Sequence, residues 1–450
     1  MKLKDWQKIK LFDPCLAALR QENVALCAGA TGSGKSCIAM ELIKAVEKPA
    51  LYVAPKSTIT AMRRTADLWG APLLDVVNIE KLRTGNTPYA TKHGSQYVWN
   101  LDPEKHMLVI DEAHCVRGGD KGTLNSALLK ATNQLVKTDG RISQYTLPTL
   151  LMSATMAESP LHLRDAIGYR LGFHNLGSHA NAWLKTMGCY VRELKTIRGT
   201  RYFYEFPKGT SEQSKEVVKA HLERLSRLMY PRFGAFLAHK DIPGFPEAEI
   251  IVDLYDIDPK DVKVVQAAYD ELAMKEGSAE ALTARLFARE RAELCKLGIF
   301  RSMTENMVAE GNNVIVFVNF LPTFHKLRSM LKGYNPAVIY GNQKENRDEE
   351  MRRFNNDETN VIIVMIQAGG VGVELHDGIS GTNPRVALVS PNDSATLFVQ
   401  ALGRPVRLTT RQKVRLYIIL AAKTAEEKVY KNLKNKLDNL TTLNDEDLIL

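Results

Sequence analysis

The residues Gly29-Ala30-Thr31-Gly32-Ser33-Gly34-Lys35-Ser36 have the types and spacing that hold a polyphosphate. Their glycines let backbone N–H groups converge on phosphate oxygens with no Cβ in the way. Lys35 is expected to neutralise the β- and γ-phosphates and Ser36 to offer its hydroxyl to Mg2+. A helix N-terminus behind them favours the anion. On this reading Gly29, Thr31, Gly32, Ser33, Gly34, Lys35 and Ser36 bind a nucleotide. The same letters also describe a glycine-rich turn that matches by accident. Average composition gives only about 0.02 such matches in a chain of this length, so the pattern is read as a site.

Four further groups carry chemistry. Met107-Leu108-Val109-Ile110-Asp111-Glu112-Ala113-His114 is an apolar run that ends in two adjacent carboxylates. Asp111 is placed to hold the Mg2+ shell, partly through water, and Glu112 to orient and deprotonate an attacking water. Alone, such a pair is a solvated strand end; 76 residues after Lys35, at the end of a second strand, it is read as catalytic. Ser153-Ala154-Thr155, taken alone, would be a helix cap or turn. Gln367-Ala368-Gly369-Gly370-Val371-Gly372-Val373 is a glycine loop after a strand, a weak signal by itself. Arginines three apart, as in Gln400-Ala401-Leu402-Gly403-Arg404-Pro405-Val406-Arg407, often face solvent. Phosphoryl transfer nevertheless needs cations where charge develops on the γ-phosphate.

Positioning these groups takes two parallel sheets. Short apolar runs at Val24 to Ala28, Leu51 to Ala54, Leu74 to Val77, Met107 to Ile110 and Thr149 to Met152 alternate with helical spacing such as Ile38, Met40, Leu42, Ile43 and Val46. That alternation implies strands covered by helices, with sites at the strands' C-terminal ends. From Leu161 to Ile242 the pattern turns irregular and helical, with Val218, Leu222, Leu225 and Leu228 on one face. Asp241 to Pro246 holds two prolines and a glycine and reads as a junction. Beyond it, Glu249 to Tyr255 is a strand, and Asp261 to Met307 is mainly helical. Val314 to Val318, Ala337 to Tyr340, Val361 to Met365, Val386 to Ser390 and Val414 to Leu420 then form a second set of strands. A charged amphipathic helix, Thr424 to Asp438, closes the pattern. The expected division is 1–157, 158–245 (mainly helical and basic), 246–310 (a strand and helical protrusion) and 311–450.

The whole chain sets outer bounds. Its 450 residues are 45% hydrophobic and 25% charged, as in a soluble globular protein. No apolar run reaches the ~18 residues of a membrane span, and the N-terminus lacks a signal-peptide core. The six cysteines show no metal-type spacing and read as small buried hydrophobes in a reducing cytoplasm, which argues against zinc and disulfides. Net charge is +9, and Lys185 to Lys240 carries twelve Lys/Arg against five Asp/Glu. A solvated surface accounts for that excess; beside a nucleotide site, a polyanionic track accounts for it better. The aromatics Tyr202, Phe203, Tyr204 and Phe206 alternate as strand core does.

In this order the motifs resemble superfamily 2 helicases and translocases with a DEAH-type box. Gly29 to Ser36, Val53 to Lys56, Asp111 to His114, Ser153 to Thr155, Val314 to Phe320, Gln367 to Leu375 and Gln400 to Arg407 are similar to motifs I, Ia, II, III, IV, V and VI. Arg232 to Pro246, Ile339 to Phe354, Ala368 to Gly372 and Lys423 to Lys428 narrow the likeness to the Swi/Snf-type ATPases. The resemblance implies an α/β fold of two tandem RecA-like lobes with a helical insertion between motifs III and IV, and ATP in the interlobe cleft. It implies that Lys35, Ser36, Asp111 and Glu112 bind and hydrolyse Mg-ATP, that Arg404 and Arg407 are arginine fingers and that Gln400 contacts the γ-phosphate side. His114, Ser153 and Thr155 would couple hydrolysis to DNA contacts at Lys56, Gly369 and Gly370.

The chain departs from that family at three places. Cys15 stands where an adenine-reading Gln normally sits, with Gln7 and Gln21 as candidates to replace it. Leu408-Thr409-Thr410 follows Arg407 in place of Ile-Gly-Gln, and Glu374 replaces an Asn in the glycine loop. The expected activity is ATP-dependent translocation on duplex or branched DNA in replication, recombination or repair, by a monomeric cytoplasmic motor of phage, viral or bacterial type. A strand-separating DNA or RNA helicase is the alternative, and a non-hydrolysing nucleotide switch is a third reading, which Glu112, Arg404 and Arg407 oppose.

Overall fold

The apolar runs become the strands of two sheets in the computed structural model. It describes residues 2–117, 123–138, 141–154, 156–196, 199–207, 211–274, 281–341, 343, 345–369, 373–378, 382–392, 394–424, 426–427, 429–431 and 433–434. Two compact units result, one of Met1–Glu193 and Tyr202–Pro243, the other of Leu194–Arg201 and Gly244–Leu437.

Among the described residues twelve strands precede Pro243: β1 (Val24–Gly29), β2 (Ala50–Val53), β3 (Leu73–Val77), β4 (Ala90–His93), β5 (Gln96–Trp99), β6 (Met107–Asp111), β7 (Asn133–Thr138), β8 (Arg141–Thr146), β9 (Thr149–Met152), β10 (Tyr190–Thr196), β11 (Gly199–Glu205) and β12 (Gly234–Leu237). Six of them form one sheet in the order β12-β1-β9-β6-β2-β3, and every pairing in it is parallel. Both faces of such a sheet are covered, so β1 and β9 are buried along their whole length and show no alternation. The helices Lys35–Val46, Ile59–Trp69 and Leu124–Lys130 lie on the crossovers that parallel strands require. The remaining strands pair as the hairpins β4–β5, β7–β8 and β10–β11.

Sequence pattern alone supplies five strands for this sheet, and the structure supplies six. The missing one, β12, is four residues long and opens with a glycine, so periodicity does not reveal it. Gly234 is required there: its φ is +127°, and a Cβ would meet the Leu26 carbonyl oxygen at 2.3 Å. The segment read as irregular and helical therefore completes the first sheet and adds a hairpin. In the helix Glu212–Met229 the buried face is Val218, Leu222, Leu225 and Met229, while Leu228 is 38% exposed. Met229 lies four residues after Leu225 and takes the place that the pattern assigned to Leu228.

After the junction come β13 (Ala248–Tyr255), β14 (Asn313–Val318), β15 (Ala337–Ile339), β16 (Val361–Met365), β17 (Arg385–Val389) and β18 (Val414–Ala421). They pair in parallel in the order β13-β18-β17-β14-β16-β15. Each sheet with its helices is a RecA-like lobe. The insertion before β14 is helical at Pro259–Met274, Ala281–Leu294 and Leu297–Ala309.

A buried ion pair fastens those helices to the second sheet. Lys296 has no exposed surface and donates to Glu426 Oε1 at 2.8 Å, the Ile419 carbonyl at 3.1 Å and Ser390 Oγ at 3.3 Å. Glu426 also accepts from the Ala421 amide at 2.8 Å, which caps the end of β18. The expected helix from Thr424 extends beyond the described residues. Of the cysteines, Cys15, Cys27 and Cys189 are buried, but Cys37, Cys115 and Cys295 are only partly so; all six are free thiols. Among the described residues no helix is long and apolar enough to cross a membrane.

Removing one partner of the buried pair strands the other charge. Lys296→Met should lower the unfolding free energy by roughly 3 kcal/mol or more, and adding Glu426→Leu should recover much of that loss. Chemical denaturation of both variants measures it, and an undisturbed single variant would mean the pair is not holding this unit together.

Candidate nucleotide site

Strand order brings the first group of candidate residues together. β1, β9 and β6 are neighbours, with Cys27 and Asp111 both opposite Met152. Gly29, Ser153 and Asp111 therefore leave the sheet at one edge, the C-terminal edge where parallel sheets build sites. The phosphate-type loop follows Gly29, and the helix Lys35–Val46 begins with its lysine. Gly34 has φ +85°, and a Cβ on it would meet Gln7 Nε2 at 2.4 Å.

The loop is held by its own residues and by two others. Lys35 Nζ donates to the carbonyls of Gly29 at 2.6 Å and Ala30 at 3.2 Å. Buried Gln7 donates from Nε2 to the Ser33 carbonyl at 2.9 Å. His239, from the segment after β12, donates from Nε2 to the Thr31 carbonyl at 2.9 Å, with Thr31 Oγ1 at 3.3 Å. Of the glutamine candidates, Gln7 thus lies on the loop and Gln21 is exposed. Cys15 is fully buried, its thiol 3.5 Å from the Leu26 carbonyl, and belongs to the core.

Asp111 and Ser36 converge on Tyr52, a residue the motifs did not single out. The Tyr52 hydroxyl donates to Asp111 Oδ2 at 3.4 Å and is also hydrogen-bonded with Ser36. Its only sequence signal was a polar tip inside the apolar run of β2. Asp111 Oδ1 accepts from the Glu112 amide at 3.0 Å. Burial, and then the charge of Glu112, push the Asp111 carboxyl up to about 7, while Lys35 pulls it down. Ser36 and Asp111 are hard oxygen donors on one hydroxyl, a donor set that suits Mg2+ when phosphates and waters complete its shell.

Beyond Asp111 the backbone turns sharply. Glu112 has φ +53°, in the left-handed region, which swings its side chain back toward His114. His114 Nδ1 lies 3.3 Å from Glu112 Oε2 and 3.5 Å from Ser153 Oγ, linking the ends of β6 and β9. Thr155 lies outside the described residues. A second link involves a residue outside every motif: partly buried Arg117 donates from Nε to the Met156 carbonyl at 2.9 Å and lies 3.5 Å from Glu158.

Gln400, Arg404, Arg407 and Gly369 belong to the second unit; Gly370 lies outside the described residues. Gln400 is buried on the helix Ala395–Leu402. Arg404 donates to the Val373 carbonyl at 3.3 Å and accepts from the Leu375 amide at 3.3 Å, tying the helix end to the glycine loop. Arg407 donates to the Gly403 and Val406 carbonyls. Where the chain departs from the family after Arg407, Asp377 accepts from the amides of Arg411 and Gln412, both at 2.9 Å. Glu374 is exposed, and so is Lys56, on a short turn after β2.

The basic run from Lys185 is partly neutralised. Arg192 pairs with Glu205, Arg227 with Glu223, and Arg232 with Glu22.

Residues 292–409 match the family described as Helicase conserved C-terminal domain. The chain is 27% identical to a protein of Acanthamoeba polyphaga mimivirus described as an ATP-dependent RNA helicase, over 99% of this chain and 84% of that one. It is 24% identical to an SNF2 domain-containing protein of Oryza sativa, over 50% of this chain and 25% of the rice protein. It is also 24% identical to a chromatin remodeling factor of Schizosaccharomyces pombe, over 32% of this chain and 10% of the yeast protein.

The raised pKa of Asp111 has a testable sign. Between its ordinary 3.8 and about 7, the folded chain holds this proton more tightly than the unfolded chain. Ionisation therefore destabilises the nucleotide-free fold progressively as pH rises across that window, and fully above it. Asp111→Asn, melted in EDTA without nucleotide, should be more thermostable than the parent at pH 8, with the gain fading toward pH 4. A gain that ignores pH would exclude this cause.

Proposed function

We propose that this chain, a superfamily 2 helicase-type ATP hydrolase with Swi/Snf-like relatives, is a DNA translocase that couples Mg-ATP hydrolysis to movement along double-stranded or branched DNA. The observation that carries the ATP half is the gathering of Lys35, Ser36, Asp111 and Glu112 at one edge of the first sheet. The loop amides and Lys35 bind the β- and γ-phosphates, with Lys35 exchanging its carbonyl partners for phosphate oxygens. Gln7, seated on the same loop, is the adenine reader. Glu112 orients the attacking water and takes its proton as oxygen bonds to the γ-phosphorus and the ADP oxygen leaves. Ser36 and Asp111 would hold Mg2+, which neutralises charge on the phosphates.

Arg404 and Arg407 supply positive charge from the second unit as charge builds on the γ-phosphoryl group, and Gln400 contacts its side. His114, Ser153 and Thr155 relay the state of the site, and Lys56, Gly369 and Gly370 touch the DNA backbone. The SNF2-type relatives support duplex as the track. The mimivirus relative, described as an RNA helicase, favours a second reading in which the track is RNA and strands are parted.

ATPase rate measured against single-stranded, duplex, forked and four-way DNA and RNA separates the two. Duplex or branched DNA should stimulate most. Stimulation by RNA or single strands with none from blunt duplex sinks the translocase reading. Lys35→Ala and Glu112→Gln should each cut turnover at least about 100-fold. Gln7→Ala should erode the preference for ATP over GTP while sparing the rate at saturation.

A further inference from the structure

We propose that His239 is a positioning residue of the phosphate loop, and that through it the loop is tied to the strand of chain by which the first unit ends. The inference rests on the nucleotide reading above and adds a residue that no motif includes. A carbonyl oxygen can only accept, so the 2.9 Å contact with Thr31 O fixes the hydrogen of His239 on Nε2, with Thr31 Oγ1 as a second acceptor. The peptide joining Thr31 to Gly32 is planar and trans, so its C=O and N–H point in opposite directions. Holding the Thr31 carbonyl outward on the imidazole turns the Gly32 N–H the other way, into the concavity of the loop. Gln7 does the same two peptides further on, holding the Ser33 carbonyl and so orienting the Gly34 amide.

His239 differs from Gln7 in what lies behind it. Its segment leaves β12 where the Ala30 amide donates to the Leu237 carbonyl at 2.8 Å, and Lys10 donates to the Asp241 carbonyl at 3.0 Å. Pro243, four residues after His239, is the last described residue before the chain passes into the second unit at Gly244. A phosphate that draws the Gly32 amide inward must rotate the Thr31 carbonyl, and the imidazole is the group on its other side. Nucleotide occupancy is thereby communicated to the connecting segment over one hydrogen bond.

Direct binding of a fluorescent ATP analogue to the full-length chain tests this without needing hydrolysis or DNA. His239→Phe keeps a ring and loses the donor; His239→Gln keeps an N–H at similar reach. The phenylalanine variant should bind about fivefold more weakly, the ordinary worth of one hydrogen bond, with an unchanged melting temperature in the absence of nucleotide. The glutamine variant should stay within about twofold of the parent. In the phenylalanine variant, duplex affinity should also respond less to a non-hydrolysable ATP analogue. Equal binding by parent and His239→Phe, or equal loss in both variants, overturns the assignment while leaving the nucleotide site intact. A parent chain that binds no nucleotide overturns the site itself.

Discussion

Everything chemical in the first unit depends on the parallel ladder β1–β9–β6. Parallel pairing makes all three strands end at the same edge, and their burial on both faces fixes register tightly, because a slip would unpair amides with no water to replace them. The phosphate-type loop, the Asp111–Glu112 pair and Ser153 are far apart in sequence and adjacent in space for this reason alone. Hydrogen bonds from Gln7, His239 and Tyr52 then adjust what the ladder has already assembled.

Charge is treated differently in the two units. At the first sheet's edge, two carboxylates and a lysine sit close together, and burial opposes ionisation of Asp111. Under the proposed function, an incoming cation and polyphosphate would offset that opposition. In the second unit, Lys296 and Glu426 satisfy each other and the backbone around them, and no ligand is needed. One cluster is poised to change partners; the other is built to keep them.

Most of the fold was legible because strands buried on both faces are written as unbroken apolar runs, and because glycines and carboxylates at their ends are conspicuous. What escaped was short, polar or remote. β12 has four residues and a glycine dictated by a neighbouring carbonyl, a constraint absent from its own letters. Leu228 and Met229 fit nearly the same helical face, and only packing chooses the second. Tyr52 acts through a single polar atom on an otherwise core-like side chain, and Arg117 through a guanidinium that no motif includes. His239 reaches the loop from 208 residues away, a separation that no local pattern reports.

The lateness of β12 bears on how the chain matures during synthesis. β1 is made long before β12, and one of its edges stays open until Gly234–Leu237 arrive to pair with it. Contacts of such long sequence separation form slowly, and an open edge is a template for wrong partners. A nascent chain stopped between Ser36 and this strand carries the whole phosphate-type loop in its sequence and lacks the wall against which that loop is shaped. Under the proposed function, competence to bind would therefore be acquired only once β12 has been made.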